Sequence, residues 1–280
     1  MCLKATLAAG CVAALIPTVS PADSAANKAF VLEALQNTLL AGNTDAVEPY
    51  FAEEYLQHNP MVPNGLEGQK AVVGFLSGTK GFKADYVRVI ADDDMVAIHG
   101  RYEGFGPTAT IGFDVFRVED GKIAEHWDNL IAEAAPNPSG HTQIDGATEI
   151  TDLEKTEANK VKVEEFITRA LINHEEVEII QYISPLTYTQ HNPMVADGLE
   201  GFGAFMAQMA EQDVSMDYTT LHHVIGEGNF VLTISEGALG EEPQAFYDLF
   251  RLEGGLIVEH WDVIAPTPGP DAEHNQSGKF

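Results

Sequence analysis

Cysteine is almost missing from this chain. Of its 280 residues only Cys2 and Cys11 are cysteines, and both fall in an N-terminal stretch that reads as a removable leader. The rest therefore offers no disulfide, no reactive thiol and no thiolate metal site. Bases are also scarce: 15 Lys and Arg stand against 43 Asp and Glu, a net charge of −28. A field of that sign repels phosphate backbones, so nucleic acid is not an expected partner, and its simplest meaning is a well-solvated surface. Long apolar runs are missing too. The stretch Leu7–Ile16 is too short for a permanent membrane span. No Gly-x-Gly-x-x-Gly element, P-loop or Gly-x-Ser-x-Gly elbow occurs, which removes the common nucleotide-binding and hydrolase signatures.

The leader itself has Lys4 as a small basic region, the apolar Leu7–Ile16 and a small-x-small pattern at Ala22-Asp23-Ser24. It predicts export to the periplasm or the exterior, with residues 1–26 as signal peptide and no membrane attachment of the mature form. Leu7-Ala8-Ala9-Gly10-Cys11 also resembles a lipoprotein box, with Ala8 where a larger aliphatic is usual.

What the chain does have, it has twice. Gln57-His58-Asn59-Pro60-Met61 returns as Gln190-His191-Asn192-Pro193-Met194, and Gly65-Leu66-Glu67-Gly68 as Gly198-Leu199-Glu200-Gly201. The block Asp114–Asp128 returns as Asp248–Asp262 with 10 of 15 positions identical, and the offsets are 133, 133 and 134 residues. A repeat of that length is a domain, not a solenoid unit. The expected division is a first domain over 27–135, a linker over 136–155, a second domain over 156–266 and a polar tail over 267–280.

Each copy opens with a helical pattern: Val31, Ala34, Leu35 and Thr38 in the first, with Gly42-Asn43 as the stop, and Val163, Phe166, Ile167, Ala170 and Leu171 in the second, ending near Asn173. Short second helices are expected at 45–51 and 175–182, and third helices after Gly68 and Gly201. Four strands follow in the first copy, 86–91, 95–102, 111–118 and 123–131, with counterparts in the second. Helices followed by a strand meander make an α+β class.

The repeated block is two strands around a turn. A two-residue turn at Asp120-Gly121 would set Asp114 opposite Trp127. A three-residue loop with Gly121 in the left-handed position would set Asp114 opposite His126 and Gly112 opposite Asp128. The three-residue loop is preferred, because Gly255 keeps glycine at the required place. One face then carries Asp114, Phe116, His126 and Asp128, matched by Asp248, Phe250, His260 and Asp262. Buried under the helices, such a cluster can move a proton next to a carbonyl without metal or cofactor; equally, it can be a charged network that satisfies itself. His126, Asp128, Asp114 and His58 could also supply metal ligands, although no strong metal signature is present, and neither a metal nor a cofactor is expected.

The other face carries Val115, Arg117, Ile123, Glu125 and Trp127, and in the second copy Leu249, Ile257 and Trp261. Both tryptophans of the chain occupy this one position. The face is too apolar for water and predicts that the two domains pack through it as an internal pseudo-dimer. His58 and His191 either line the pocket mouth as donors or proton carriers, or cap the Asn-Pro turn that follows them.

With FRVEDGKIAEHWD, YLQHNPM and GLEG in view, the chain resembles the SnoaL-like polyketide cyclases of the NTF2-like, cone-shaped α+β superfamily, which includes ketosteroid isomerase. More narrowly it looks like the bacterial SnoaL-like aldol-condensation proteins that share the QHNP and EHWD wording. The resemblance covers roughly 27–133 and 159–266. It implies that Asp128, and Asp262 in the second copy, acts as acid and base in an aldol-type ring closure. It implies no metal or cofactor, and dimers packed through the convex sheet face. A pocket position that holds His in those cyclases is Asp114 and Asp248 here. The implied partner is a small or medium hydrophobic carbonyl compound, and the implied reaction is cyclisation or isomerisation; a non-catalytic exported binding protein of the same fold is the alternative. The pockets need not match. Gly112 in the first copy faces Phe246 in the second, and a strand near the pocket has His99 and Arg101 against Ile234 and Glu236. The first pocket is therefore expected to be the roomier.

Overall fold

The computed structural model describes residues 21–267, 275 and 277–280. Cys2, Lys4, Leu7–Ile16 and the rest of the expected leader before Pro21 lie outside them. No helix among the described residues is long and apolar enough to cross a membrane.

Each copy folds as helices laid on a five-stranded sheet, the α+β arrangement expected. In the first copy, helix α1 (Pro21–Leu35) widens into a π turn (Gln36–Leu40) and a short helix α2 (Val47–Tyr50) follows. Strand β1 (Phe51–Gln57) and helix α3 (Gly65–Gly78) precede the meander β2 (Lys83–Asp92), β3 (Met95–Glu103), β4 (Thr110–Glu119) and β5 (Lys122–Ala132). The sheet order is β1-β5-β4-β3-β2, with β1 parallel to β5 and the rest antiparallel. The second copy repeats this with α4 (Thr156–Glu165), β6 (Thr189–Gln190), α5 (Gly198–Glu211), β7 (Met216–Glu227), β8 (Phe230–Leu239), β9 (Glu242–Glu253) and β10 (Leu256–Pro266), in the order β6-β10-β9-β8-β7. The helix expected at 175–182 is reduced to a 3₁₀ turn at Ile179–Gln181.

The glycines of the GLEG words have a packing reason. A Cβ on Gly68 would lie 1.9 Å from the carbonyl oxygen of Pro63, and one on Gly201 would lie 2.1 Å from that of Ala196. Only glycine lets α3 and α5 start this close to the loop that follows the QHNPM words.

The hairpin turn differs from the preferred expectation. It is the two-residue turn: Glu119 pairs with Lys122, and both Asp120 (φ 51°) and Gly121 (φ 73°) are left-handed, as a type I′ turn requires. Gly254 and Gly255 repeat it at φ 59° and 79°. One residue later a bulge intervenes, because Val118 pairs with Ile123 but Arg117 with Glu125. Beyond the bulge Asp114 lies opposite Asp128 and Phe116 opposite His126; in the second copy Asp248 lies opposite Asp262. The four expected face-mates stay together, in a different register. Ile123 and Ile257 are the exception. The bulge turns them into the core of their own domains, beside Phe116 and Val118 in one copy and Phe250 and Leu252 in the other.

A third core joins the two sheets. It gathers Ile90, Ala97, Phe113, Val115 and Trp127 from the first copy with Leu232, Ile234, Tyr247, Leu249 and Trp261 from the second. Asn129 reaches across it to donate to the carbonyls of Ala245 (2.9 Å) and Val263 (2.8 Å). The rim contacts are reciprocal: Lys28 pairs with Glu227 at 2.5 Å and Lys160 with Asp92 at 2.7 Å, each lysine on the first helix of one copy.

Candidate active site

Strands β4 and β5 present Asp114, Phe116, His126 and Asp128 to a cavity of about 530 Å³ in the first copy. Apolar side chains of α1, its π turn and α3 close it from above (Leu35, Leu39, Val72, Phe75, Leu76), and Tyr55, Tyr86 and Tyr102 reach its floor. The polar groups at that floor form one connected set. Asn59 donates to Asp128 Oδ2 at 2.6 Å. Gln57 Oε1 accepts from the backbone N–H of Asn59 and lies 2.9 Å from His126 Nδ1, so that ring nitrogen carries a proton. The other, Nε2, lies 3.0 Å from Asp114 Oδ1, and the Tyr102 hydroxyl donates to Asp114 Oδ2. His126 thus bridges Gln57 and Asp114 through its two ring nitrogens.

The second copy keeps the constellation and loses the space. His260 Nε2 is 3.1 Å from Asp248, and Asn192 donates to Asp262 at 2.7 Å, yet the cavity there is only about 50 Å³. Phe202 and Phe205 of α5 stand where α3 has Gln69 and Val72, and Phe246 stacks on Tyr218 at 4.2 Å where the first copy has Gly112. Gly112 borders the first cavity only through Leu130, against whose side chain its own Cβ would fall. Burial pushes the Asp262 carboxyl above the usual aspartate range, and the neighbouring Asp248 adds to the rise. His260 is raised as well: burial opposes its charge, but the hydrogen bond to Asp248 and the two carboxylates outweigh it.

The phenol that serves the Asp114 position comes from different strands. In the first copy it is Tyr102 on β3; in the second it is Tyr218 on β7, which approaches Asp248 at 3.2 Å. The same phenol–carboxylate–imidazole contact is built twice from non-equivalent positions.

His58 and His191 are corrections. Neither is among the side chains that line the cavity of its copy; both turn to the opposite sheet face. His58 Nε2 meets Glu125 at 2.8 Å and its ring stacks on Trp127 at 4.7 Å; His191 meets Glu259 at 3.0 Å and stacks on Trp261 at 4.6 Å. Arg117 and Arg251 complete the two sets at 2.8 and 2.6 Å from the same glutamates. These groups anchor the Asn-Pro loops. Of the four ligands weighed for a metal, only Asp114, His126 and Asp128 converge.

His99 is a further correction. It lies against the joint between the sheets, stacked on Phe113 at 4.4 Å and 3.2 Å from Arg88 Nη1, and burial holds its ring well below the usual histidine range. Arg88, brought down to about 10 by burial, donates to the carbonyls of Ile144, Asp145 and Ala147 and lies 4.1 Å over Trp261. Sequence reasoning missed this group, and also Gln57, Asn59, Tyr55 and Tyr102. The first two stand inside the repeated QHNPM word and could have been read from it.

Two expected outcomes follow from these contacts. Val72→Phe, which copies Phe205, should shrink the first cavity and weaken binding of an apolar fluorescent dye at least about tenfold, the scale set by one misfitting core-sized group; fluorescence titration reads it. Burial opposes charge on Glu259, but His191 and Arg251 hold it below the 4.5 of an unperturbed glutamate. A depressed carboxyl contributes stability above its unfolded pKa, and that contribution is lost as pH falls through the folded value. Glu259→Gln should therefore cost about 2 kcal/mol at pH 7, with the gap to wild type closing below pH 4.5 in urea titrations run across pH.

A family model of SnoaL-like domains matches residues 31–126 and 163–260. No curated protein matches the chain in sequence. Among solved structures, TsrD from Streptomyces laurentii is 20% identical over 38% of this chain and 88% of its own, with a TM-score of 0.33. An NTF2-like protein of unknown function from Mesorhizobium loti is 20% identical over 41% and 100%, with a TM-score of 0.36. An LEH-like epoxide hydrolase from M. tuberculosis is 21% identical over 38% and 84%, with a TM-score of 0.32. With both repeats matched by the same family model, the chain belongs to the family of SnoaL-like domains and carries two of them, each α+β, in tandem.

Proposed function

We propose that this chain is a cofactor-independent acid/base enzyme that removes a proton α to a carbonyl of an apolar substrate bound in the first domain, leading to aldol-type cyclisation or isomerisation. The observation that carries this reading is the coupled set Asp128, Asp114, His126 and Tyr102 at the floor of an apolar cavity of about 530 Å³. Asp128 is the base, and the Asn59 amide orients it by donating to its Oδ2. The His126–Asp114 pair gives a proton to the product, and the proton that Asp128 took replaces it, so the site ends as it began. Tyr55 is the donor to the developing enolate oxygen. Its hydroxyl accepts from Gln57 at 3.3 Å, which leaves its own proton to face the cavity. Burial, with Asp128 and Asp114 nearby, raises that phenol well above its usual range, so it stays a donor at neutral pH.

The second domain, with its filled pocket, takes the place of the second subunit of a homodimer. The apolar stretch Leu7–Ile16 supports export as part of this reading. Deuterium exchange from solvent into a panel of enolisable ketones, read by mass spectrometry against Asp128→Asn, tests the reaction. Exchange with wild type alone supports it. Binding of panel members without exchange would make the chain a binding protein.

A further inference from the structure

Beyond the two sheets the chain makes a reciprocal exchange of arms. The segment that leaves β5 crosses to the second domain, and residues 275 and 277–280, which follow β10 in the chain, lie against the first. Each arm carries the same word, Asn137-Pro138-Ser139-Gly140 and Asn275-Gln276-Ser277-Gly278, 138 residues apart. Asn137 Nδ2 donates to the carbonyls of Gln190 and Val195 at 2.6 and 3.0 Å, and Asn275 Nδ2 donates to those of Asn59 and Val62, both at 2.8 Å. Ser139 Oγ accepts from the Asp197 N–H at 2.9 Å, and Ser277 Oγ accepts from the Asn64 side chain at 2.9 Å. The carbonyl of Gly278 meets His58 Nδ1 at 3.1 Å, and that of Thr142 meets His191 Nδ1 at 2.8 Å. Each Asn-Pro loop, and with it the asparagine that orients the candidate base, is clamped by the arm of the other domain.

One residue further on, the arms diverge. His141 turns to Asp197 and Asp145, at 3.2 and 3.6 Å. Its counterpart Lys279 is buried and points inward. Its ammonium donates to the backbone carbonyl of Asp128 at 2.5 Å and lies 3.6 Å from Asp128 Oδ1. Asp262 has no cation at ion-pair distance among the described residues. A buried ammonium needs such partners, and one held that close to a carboxylate fixes its direction.

We propose that Lys279 is a positioning residue of the first site: the arm of the second domain supplies the ammonium that orients Asp128, so the site is built from both halves of the chain. This rests on Asp128 being the base. The ionisable groups facing Asp128 are Asp114 on β4, His126 on β5, Tyr55 on β1, Tyr102 on β3 and Lys279 on the arm, with Tyr247 of β9 nearby across the joint.

The full chain, labelled with ¹³C at the aspartate carboxyls, would be compared as wild type, Lys279→Met and Lys279→Arg, with the Asp128 signal identified by its loss in Asp128→Asn. Lys279→Met should shift the Asp128 carboxyl signal and lower the exchange rate at saturating ketone about tenfold with the half-saturating concentration unchanged, and Lys279→Arg should restore most of both. An unmoved signal and an unchanged rate in Lys279→Met would overturn the proposal. A shifted signal in a protein that catalyses no exchange would leave the contact standing and remove the reaction instead.

Discussion

Asp128→Asn is expected to slow deuterium exchange into the substrate about 10²- to 10⁴-fold, the usual contribution of a positioned base, while Asp262→Asn leaves the rate within about twofold. The substitution is close to isosteric, and Asn59 can still donate to the amide oxygen, so the loss would report chemistry and not folding. The asymmetry has three sources. The second cavity is about 50 Å³ against 530 Å³. Burial holds Asp262 toward its protonated form. Lys279 stands beside Asp128, and His141 turns away from Asp262. Initial rates by mass spectrometry across pH 5 to 9 decide the matter. Equal losses from the two single variants would show that the second pocket opens in solution and works as well as the first.

Much of this site could be read before any coordinates. The repeat alone set the units of folding, and the alternation of side chains put Asp114, Phe116, His126 and Asp128 on one face. That grouping came through although the turn was read wrongly. A two-residue turn changes the parity of the hairpin, and the extra residue at Ala124 (Val258 in the second copy) changes it back. Nothing in the sequence marks that bulge. Ile123 and Ile257 sit on its far side, and for that reason alone they entered the wrong core. The misplacement of His58 has a different origin. Its direction depends on β1 pairing with β5, Gln57 against His126, and β1 was not recognised because two glutamates interrupt its alternation. The clamping arms were missed for a third reason: they fall in stretches whose Pro, Gly and polar content reads as linker and tail. The repeated Asn-x-Ser-Gly word lies past the domain ends, at an offset of 138 in place of 133.

Trp261→Ala is expected to destabilise the chain by about 3–5 kcal/mol, the range for removing a buried aromatic, and Trp127→Ala by about 1–2 kcal/mol less. Both rings lie in the core between the sheets and both stack on a histidine, so apolar area and shape do not separate them. Their polar edges do. Trp261 Nε1 donates to the carbonyl of Asp145 at 2.9 Å and its face carries Arg88. Removing it forfeits that bond and leaves a buried guanidinium over a void. Trp127 Nε1 is buried without a hydrogen-bond partner among the described residues, so the folded state already bears the cost of stripping water from it. Trp127→Phe should for the same reason be nearly neutral, and Trp261→Phe should not. Urea unfolding followed by circular dichroism and by the fluorescence of the remaining tryptophan measures the costs and also tests the joint. If the two domains hold each other folded as the subunits of a dimer do, both signals change in one transition in the wild type, and Trp261→Ala separates them. Two transitions already present in the wild type would mean that each domain stands alone, and the first site would then owe the second domain its arm and little more.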